Sequence, residues 1–322
     1  MPRIRFQVDQ DSEGQRLDIA IFKADMGLSR RKAKAVIDVG GAYVNRRRVH
    51  RASHIVRAGD RVELEYSDKA LTQLRQPMDR LTKEAIIFRD SDLIAINKPP
   101  GLPSQATRDQ DVRHVVPCVK ALIEESGEKP PKLILGHRLD KETSGVLMVA
   151  TNAQAATWLT EAFRARTTTK VYHALVLGLP EEASLSVRNY LSEIDKKTGS
   201  VSAVRAGGRF AETTFKVLKA FPQHKICLME CHPTTGRSHQ IRVHLESLGY
   251  PILGDKRYGT KLATKLDPSL AELAGQHHFL HALSLKLPAR EGNKPIELFA
   301  PYPESWKAVL QILEHAGENR EA

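Results

Sequence analysis

The sequence has few cysteines and no long apolar segment. Three cysteines in 322 residues are too few for the disulfide framework that is typical of small secreted proteins. No apolar run approaches the ~18–20 residues needed to span a bilayer. The first residues, MPRIR, also lack the apolar core of a signal peptide. These absences predict a cytoplasmic protein that does not enter the membrane.

Motifs for nucleotides and metals are also missing. The sequence has neither a G-x-x-x-x-G-K-[ST] loop nor a G-x-G-x-x-G fingerprint, so nucleotide-driven and dinucleotide-dependent chemistry is not expected. His277, His278 and His281 cluster, but no H-E-x-x-H or paired C-x-x-C motif accompanies them. Cys227 and Cys231 lie in a predicted strand, where four residues span ~13 Å, too far for joint chelation. We therefore expect no metal and no cofactor.

Basic residues outnumber acidic ones and are concentrated near the N-terminus. The chain has 49 Lys and Arg against 38 Asp and Glu, a net charge of +11. Residues 29–57 contain nine basic side chains and one acidic side chain. Such a chain favours a polyanionic partner, with nucleic acid ahead of an acidic membrane surface. Solubility alone is the alternative explanation of the charge.

The first quarter of the chain predicts two helices followed by short strands. The apolar spacing places a helix from about residue 17. Ser29 is the expected N-cap of a second helix that continues to Val39, where Gly40 and Gly41 follow. The alternation of apolar and polar residues predicts strands at residues 42–45, 47–49 and 61–66.

The basic side chains of this region suit a phosphate backbone. Arg30, Arg31 and Lys34 share the outer face of the second predicted helix, and residues 46–48 lie in the predicted hairpin. A basic helix beside a basic hairpin favours phosphate contacts over readout of base edges. The alternatives are a DNA-binding helix-turn-helix and a solvated charged surface.

Three segments of this region resemble a known RNA-binding domain. GQRLD, LSRRKAKAVIDVGGAYVN and GDRVEL, within about residues 14–76, resemble the αL, or S4-type, domain, which also occurs in a ribosomal small-subunit protein and in tyrosyl-tRNA synthetases. We therefore expect an RNA-binding domain at residues 1–76, a polar linker at 77–84 and a second domain at 85–322. The expected RNA-binding side chains are Arg30, Arg31, Lys34, Arg46, Arg47 and Arg48.

After the linker, strands alternate irregularly with helices, which predicts a mixed, largely antiparallel sheet. The fold class of the whole chain is therefore α+β, with the small αL domain in front. The expected helices cover residues 112–125, 152–164 and 239–248, the last with Ser238 as its N-cap and Gly249 as its stop. The expected strands cover residues 86–88, 93–97, 145–150, 170–176, 213–220 and 226–231.

Asp140 is the first candidate for chemistry. It lies in GHRLDKETSG, a polar loop directly before the apolar run at 146–150. By its local pattern, Asp140 is a turn residue that binds the backbone amides near Thr143 and Ser144. The functional alternative is a carboxylate that the guanidinium of Arg138 keeps ionised, ready to act as nucleophile or base.

Two further segments carry candidate side chains. In TKVYHAL, strand alternation places Lys170 and Tyr172 on one face. The tyrosine is either a half-buried sheet residue or a platform for a base. In TTGRSHQIRVH, helical geometry places His239 and Arg242 on one face. Arg242 either pairs with Glu246 four residues later or is the buried partner of a carboxylate or phosphate.

Together the segments resemble one enzyme family. HRLDKETSG, KVYHALV and TTGRSHQIRVH, with INKPPGL before them and YPILGDKRYG and LHALSL after them, are similar to the motifs of the RluA family of pseudouridine synthases. The resemblance covers about residues 84–315. With an αL domain in front, the chain resembles the members that modify large-subunit ribosomal RNA.

The resemblance implies that the protein is an enzyme that isomerises uridines of structured RNA to pseudouridine without a cofactor. Asp140 would be the catalytic carboxylate, and both covalent attack and abstraction of a sugar proton remain open to it. Tyr172 would stack on the base and assist proton transfer at C5, and Arg242 would pair with Asp140. The side chains implied to bind the substrate are Arg138, Lys170, Arg237, His239 and Gln240.

The expected partner is ribosomal RNA, with transfer RNA as the alternative. No membrane or obligate protein partner is expected, and the chain is expected to be a monomer. Two other functions are weighed against this one. They are a non-catalytic RNA-binding assembly factor and an RNA hydrolase with paired carboxylates and a metal.

Overall fold

The structure is a computed structural model, and it divides the chain into two compact units, Met1–Asp79 and Arg80–Ala322. The residues that the structure describes are 3–24, 27–38, 41–49, 51–65, 81–106, 114–195, 197–259, 266, 268–290 and 294–318. Residues 77–80 of the expected linker lie outside these ranges. Within them, no helix is long and apolar enough to cross a membrane.

The first unit consists of a four-stranded antiparallel sheet and two helices. The order of the strands in the sheet is β1-β4-β2-β3. The strand β1 was not expected from the sequence, whereas the two helices and the other three strands confirm the prediction. The elements are β1 (Arg3–Gln7), α1 (Leu17–Lys23), α2 (Arg30–Asp38), β2 (Ala42–Val44), β3 (Arg47–Val49) and β4 (Arg61–Glu65).

Local chemistry fixes the second helix of this unit. The Ser29 hydroxyl accepts a hydrogen bond from the backbone N–H of Lys32 at 3.2 Å, which confirms the predicted N-cap. Ala33, Val36 and Ile37 are fully buried and pack in the core of the first unit. The helix therefore buries one apolar face, while Arg30 is exposed and Lys32 and Lys34 are half-buried.

The second unit is a mixed sheet with helices packed on it. The main order is β11-β10-β12-β13-β9-β14-β8-β6-β5, with β15 on β14 and β7 on β8. Among the described strands, β14 and β8 form the single parallel pair. The strands are β5 (Ile86–Arg89), β6 (Leu93–Lys98), β7 (Ile134–Leu135), β8 (Ser144–Ala150), β9 (Thr169–Leu177), β10 (Ser184–Leu191), β11 (Ala203–Val204), β12 (Arg209–Phe221), β13 (Ile226–Pro233), β14 (Leu280–Leu287) and β15 (Ile296–Phe299).

Five helices of this unit are described, and their ends follow capping chemistry. The Asn152 side chain accepts a hydrogen bond from the N–H of Ala155 at 2.9 Å, which fixes the start of the expected helix at 152–164. Gly249 has a left-handed φ of 83° and ends the expected helix at 239–248. The helices are α3 (Val115–Glu125), α4 (Ala153–Arg164), α5 (Gln240–Ser247), α6 (Pro268–Ala274) and α7 (Glu304–Glu318).

The predicted N-cap of α5 is wrong. The N-cap position is occupied by His239, whose backbone is left-handed with φ 54°, and no side chain caps the helix. Ser238 therefore lies one residue too early. The left-handed turn at His239 was not visible in the sequence, because a non-glycine residue seldom adopts it.

The parallel contact between β8 and β14 fixes the region that precedes β8. Gly145 has φ 110°, and a Cβ atom there would lie 2.2 Å from the carbonyl oxygen of Ala282. Glycine alone permits this close approach. All seven residues of β8 are buried, as expected from its apolar sequence. The loop that contains Asp140 therefore ends at a rigid strand.

Candidate active site

One cavity of about 760 Å³ in the second unit brings the predicted site residues together. Its size is in the usual range for a small-molecule or nucleotide pocket. It lies where the loop before β8, the first residues of β9 and the start of α5 meet. The predicted residues that line it are Arg138, Asp140, Lys170, Tyr172, Arg237, His239, Gln240 and Arg242.

Asp140 is held by Arg242, and Arg242 is held in turn by Asp255. Arg242 Nη1 donates to Asp140 Oδ2 at 2.8 Å. Its other nitrogens form a bidentate pair with Asp255, with Nε 2.7 Å from Oδ2 and Nη2 2.9 Å from Oδ1. The side chain of Asp255 is 1% exposed and that of Arg242 is 9% exposed, whereas that of Asp140 is 26% exposed. Of the two carboxylates that bind Arg242, only Asp140 is therefore open to a substrate.

The charges around Asp140 favour its ionised form. Burial opposes ionisation, but the nearby His239 and Arg242 outweigh it and hold the pKa of Asp140 below its usual range. Burial also lowers the pKa of His239, in spite of the Asp140 carboxylate, so its imidazole is neutral at pH 7 and Arg242 is the one of the two that carries a positive charge there. Since Arg242 lies between two carboxylates, the chain Asp255–Arg242–Asp140 keeps a net charge of −1.

The segment that follows β6 fixes the backbone on both sides of Asp140. Ser104 Oγ donates to the carbonyl of Leu139 at 2.6 Å and accepts from its N–H at 3.0 Å. On the other side, Lys98 Nζ and the N–H of Gly101 both donate to the carbonyl of Lys141, at 2.9 and 3.0 Å. The catalytic candidate therefore lies between two fixed neighbours.

Lys98 is fully buried and acts as a three-way connector. Its ammonium donates to the carbonyls of Pro99, Leu102 and Lys141, each at 2.9 Å. Burial lowers the pKa of Lys98 to about 7. The three carbonyl oxygens accept one hydrogen bond from each N–H of the ammonium, which favours the charged form. Sequence reasoning assigned no role to Lys98 or Ser104, although INKPPGL was recognised as a family motif.

Three local interpretations of the sequence are wrong. The turn interpretation predicted hydrogen bonds from backbone amides to the Asp140 side chain. Instead, the backbone carbonyl of Asp140 accepts from the N–H of Thr143 at 3.1 Å, and the side chain binds Arg242. In the described part of the chain, the guanidinium on Asp140 belongs to Arg242 and not to Arg138. Arg242 also pairs with Asp255 and Asp140 rather than with Glu246.

Tyr172 and Lys170 reach the cavity from the first half of β9. The Tyr172 ring packs against two core clusters of the second unit and lines the cavity. Burial and the charge of Asp140 raise the pKa of Tyr172, so its hydroxyl stays protonated at neutral pH. Lys170 Nζ donates to the carbonyl of Thr235 at 3.0 Å. Arg138 is exposed at the edge of the same cavity.

Gln240 organises the loop before α5. Its side-chain oxygen accepts from Thr235 Oγ1 at 2.7 Å and from the N–H of Arg237 at 3.0 Å. Its side-chain nitrogen donates to the carbonyl of Glu212 and to Thr213 Oγ1, both at 2.9 Å. The amide has no group left for a ligand, so the expected substrate contact is corrected to a structural one.

The clustered histidines make hydrogen bonds behind the site. His278 Nε2 lies 2.9 Å from Thr143 Oγ1, and His281 Nδ1 lies 2.8 Å from Ser144 Oγ. His277 Nε2 bonds Ser305. Among the described residues, no group of three or more His, Cys, Asp and Glu side chains could hold a metal ion.

The six expected RNA-binding residues of the first unit are placed differently from one another. Arg30 Nε lies 3.1 Å from Asp18 Oδ2, so this side chain also stabilises its own unit. Arg48 bonds the hydroxyl of Tyr43. Lys34 is half-buried, and the side chain of Arg31 lies outside the described residues. The remaining two are exposed, Arg46 in the turn that joins β2 and β3 and Arg47 at the start of β3.

Two family models match the chain. The model for RNA pseudouridylate synthase matches residues 92–247, which contain the loop of Asp140, β9 and α5. The model for the S4 domain matches residues 15–62. The resemblance to both families is therefore confirmed.

Curated proteins and solved structures that resemble this chain are also named as pseudouridine or pseudouridylate synthases. The protein named "Ribosomal large subunit pseudouridine synthase C" of Vibrio vulnificus (strain CMCP6) is 32% identical over 95% of each chain. An "Uncharacterized RNA pseudouridine synthase" of Aquifex aeolicus (strain VF5) is 32% identical over 97% of each chain. The structure of human RNA pseudouridylate synthase domain containing 4 is 30% identical, with a TM-score of 0.59, and covers 71% of this chain and 93% of its own. This chain belongs to the RNA pseudouridine synthase family and carries an S4 domain ahead of its catalytic region.

Proposed function

We propose that the protein isomerises uridines of large-subunit ribosomal RNA to pseudouridine and that Asp140 is its catalytic carboxylate. One observation carries the proposal. Among the described residues that line the cavity, Asp140 is the single acidic side chain. It is accompanied there by Arg138, Lys141, Arg164, Arg166, Lys170, Arg237 and Arg242. A lone reactive carboxylate within a cationic cavity suits a polyanionic substrate and one-carboxylate chemistry.

The isomerisation makes limited demands on the protein. The bond between C1′ of the ribose and N1 of uracil breaks, the base turns, and C1′ joins C5. C5 loses a proton and N1 gains one, so no oxidant or reductant is consumed. Covalent attack by the Asp140 carboxylate and abstraction of a sugar proton by it both require the ionised form that Arg242 stabilises.

Other side chains take roles from their positions. The Tyr172 ring provides a stacking surface for the base, and its protonated hydroxyl is suited to donate a proton rather than to accept one. Arg138, exposed at the edge of the cavity, occupies the space that the extruded uridine leaves. Extrusion costs a few kcal/mol, which stacking and phosphate contacts offset.

The carboxylate arrangement disfavours the hydrolase alternative. A metal-dependent RNA hydrolase needs several carboxylates that are free to share a cation. Here the second carboxylate bound to Arg242, Asp255, is buried and bidentate with it. We therefore infer catalysis without a metal or cofactor.

The substrate and its setting are inferred from the relatives and from the charge. A curated relative is named for the large ribosomal subunit, and the S4 match together with exposed Arg46 and Arg47 supports binding to a large RNA. We infer a monomer that acts in the cytoplasm, with transfer RNA as the alternative substrate.

The test compares Asp140→Asn with a matched control, Glu142→Gln. The control also removes one negative charge, but Glu142 does not line the cavity. Pseudouridines are mapped in ribosomal and transfer RNA from cells that lack the protein and carry either variant. We expect Asp140→Asn to lower conversion by about 10³-fold while RNA binding and folding persist, and Glu142→Gln to restore it. Conversion by Asp140→Asn within tenfold of wild type would refute the assignment. If the pseudouridine that disappears without the protein lies in transfer RNA instead, transfer RNA is the substrate.

A further inference from the structure

Three cationic side chains occupy one side of the cavity without an acidic partner. Arg166, Lys170 and Arg237 all line it, and in the described part of the chain no carboxylate lies within ion-pair distance of any of them. Arg237 Nε donates to the carbonyl of Phe210 at 3.0 Å, and within the described residues neither of its terminal nitrogens has a hydrogen-bond partner. Lys170 uses one of its three donors on Thr235.

The three charges disfavour one another. Burial lowers the pKa of Lys170 to about 8, and the charges of Arg166 and Arg237 add to the effect. Burial and the charges of Arg209 and Arg166 lower the pKa of Arg237. Cations held this close are stabilised when an anion binds among them.

The backbone of Arg166 is strained. Its φ is 58°, a left-handed conformation two residues after the end of α4, where glycine is the usual residue. Strain of this kind tends to persist where a side chain is functional. The strained position carries a side chain that lines the cavity, although a glycine would satisfy the same turn.

Glu212 interacts electrostatically with Arg166 but does not serve as its counter-ion. Its carboxylate is already bound by Arg188 and by Thr234 Oγ1, the latter at 2.8 Å. The donors of Arg166, Lys170 and Arg237 therefore remain available within the described residues.

We propose that Arg166, Lys170 and Arg237 form a binding site for a backbone phosphate of the RNA, next to the nucleotide that is modified. The guanidinium forks and the ammonium match the oxygens of a phosphodiester. The proposal rests on the proposed function, because it places the target nucleotide at Asp140 in the same cavity. Arg166 would position the strand, whereas the reaction itself remains with Asp140.

The decisive variant is Arg166→Gly. Glycine relieves the left-handed strain but adds freedom to the unfolded chain, so the melting temperature should stay near that of wild type. Lys225→Gly is the matched control, because Lys225 is also left-handed with φ 52°, is exposed and does not line the cavity. Both variants make the same backbone change, and only one of them removes a cation from the cavity.

Binding is measured with a short stem-loop RNA at several salt concentrations. We expect Arg166→Gly to weaken binding by about tenfold and to flatten the slope of log K against log salt by roughly 0.7–0.9. Lys225→Gly should match wild type in both measurements.

Three outcomes would overturn the phosphate site. They are an unchanged salt slope in Arg166→Gly, equal binding losses in both glycine variants, and a melting temperature that falls only in Arg166→Gly. The binding measurement does not depend on product formation. Failure of the phosphate site is therefore separate from failure of the proposed function, which Asp140→Asn tests by conversion.

Discussion

The buried pair between Arg242 and Asp255 gives the sharpest test of how Asp140, the proposed catalytic carboxylate, is positioned. We consider the substitution Asp255→Asn. Asp255 Oδ1 also accepts from the N–H groups of Arg257 and Tyr258, at 3.0 and 3.2 Å, and an asparagine oxygen can keep those bonds. Its amide nitrogen would then face Arg242 Nε, so that two donors would oppose each other.

The stability cost follows from burial. Neutralising one partner of a buried ion pair costs about 3–5 kcal/mol. The lower end applies here, because Arg242 keeps Asp140 as a partner and the two backbone bonds survive. For a unit of this size, 1 kcal/mol corresponds to roughly 2–4 °C in melting temperature. We therefore expect Asp255→Asn to lower the melting temperature by roughly 6–12 °C.

The catalytic effect follows from position. Without the bidentate pair, Arg242 is free to turn toward Asp140 and displace its carboxylate. A displacement of about 1 Å can cost about 10²-fold in rate. The measurement is single-turnover conversion of a short RNA well below the melting temperature, together with the dissociation constant. We expect the rate to fall while binding stays near that of wild type.

The control is a second bidentate pair at the surface. Arg89 binds Glu128 through two hydrogen bonds of 3.0 and 2.6 Å, but both side chains are exposed. Glu128→Gln should therefore leave stability and rate unchanged, because water screens such pairs. Equal melting temperatures for Asp255→Asn and Glu128→Gln would refute the reasoning from burial. A destabilised Asp255→Asn with a rate within threefold of wild type would refute positioning through Arg242.

Three further predictions address the same elements. Ser104→Ala removes both hydrogen bonds to Leu139 and leaves two buried backbone groups unpaired. It should cost about 2–4 kcal/mol in thermal unfolding and lower kcat more than it raises KM, and a KM effect alone would contradict its positioning role. The pKa of Asp140 lies below its usual range, and activity disappears only as pH falls through that pKa. Single-turnover rates should therefore stay constant from about pH 8 to about pH 5, and a loss near pH 6 would contradict this. Replacing Arg47 and Arg48 by Ala should flatten the salt slope for large RNA by about 1.5 without changing the rate on a saturating short RNA, and an unchanged slope would contradict phosphate contacts there.

Elements with strong local signals could be predicted from the sequence. The apolar run of β8, the N-cap Ser29 and the helical spacing of α2 all act within a few residues. Their physics is local, since a cap satisfies backbone donors of its own first turn. The strand β10 was not predicted, although exposed and less exposed positions alternate through it, and the helix α7 was not predicted either.

The partners of the site residues could not be predicted from spacing. Arg242 and Asp140 are 102 positions apart, whereas the local rule on a helix favours Glu246 as the partner of Arg242. Asp255 was part of a recognised motif, but its role depends on burial beside a guanidinium. Ser104 binds Leu139 from 35 positions away. Roles of this kind become visible only when the sheet brings the segments together.

The division of labour around Arg242 explains how a carboxylate can stay reactive in a cationic cavity. Seven cations line the cavity, and any of them could neutralise a mobile Asp140. Because Asp255 holds two nitrogens of Arg242, only Nη1 reaches Asp140, and it binds Oδ2 alone. Within the described residues, Asp140 Oδ1 accepts no hydrogen bond. The buried Asp255 thus limits Arg242 to a single contact, which keeps Asp140 ionised and leaves its second oxygen for the uridine.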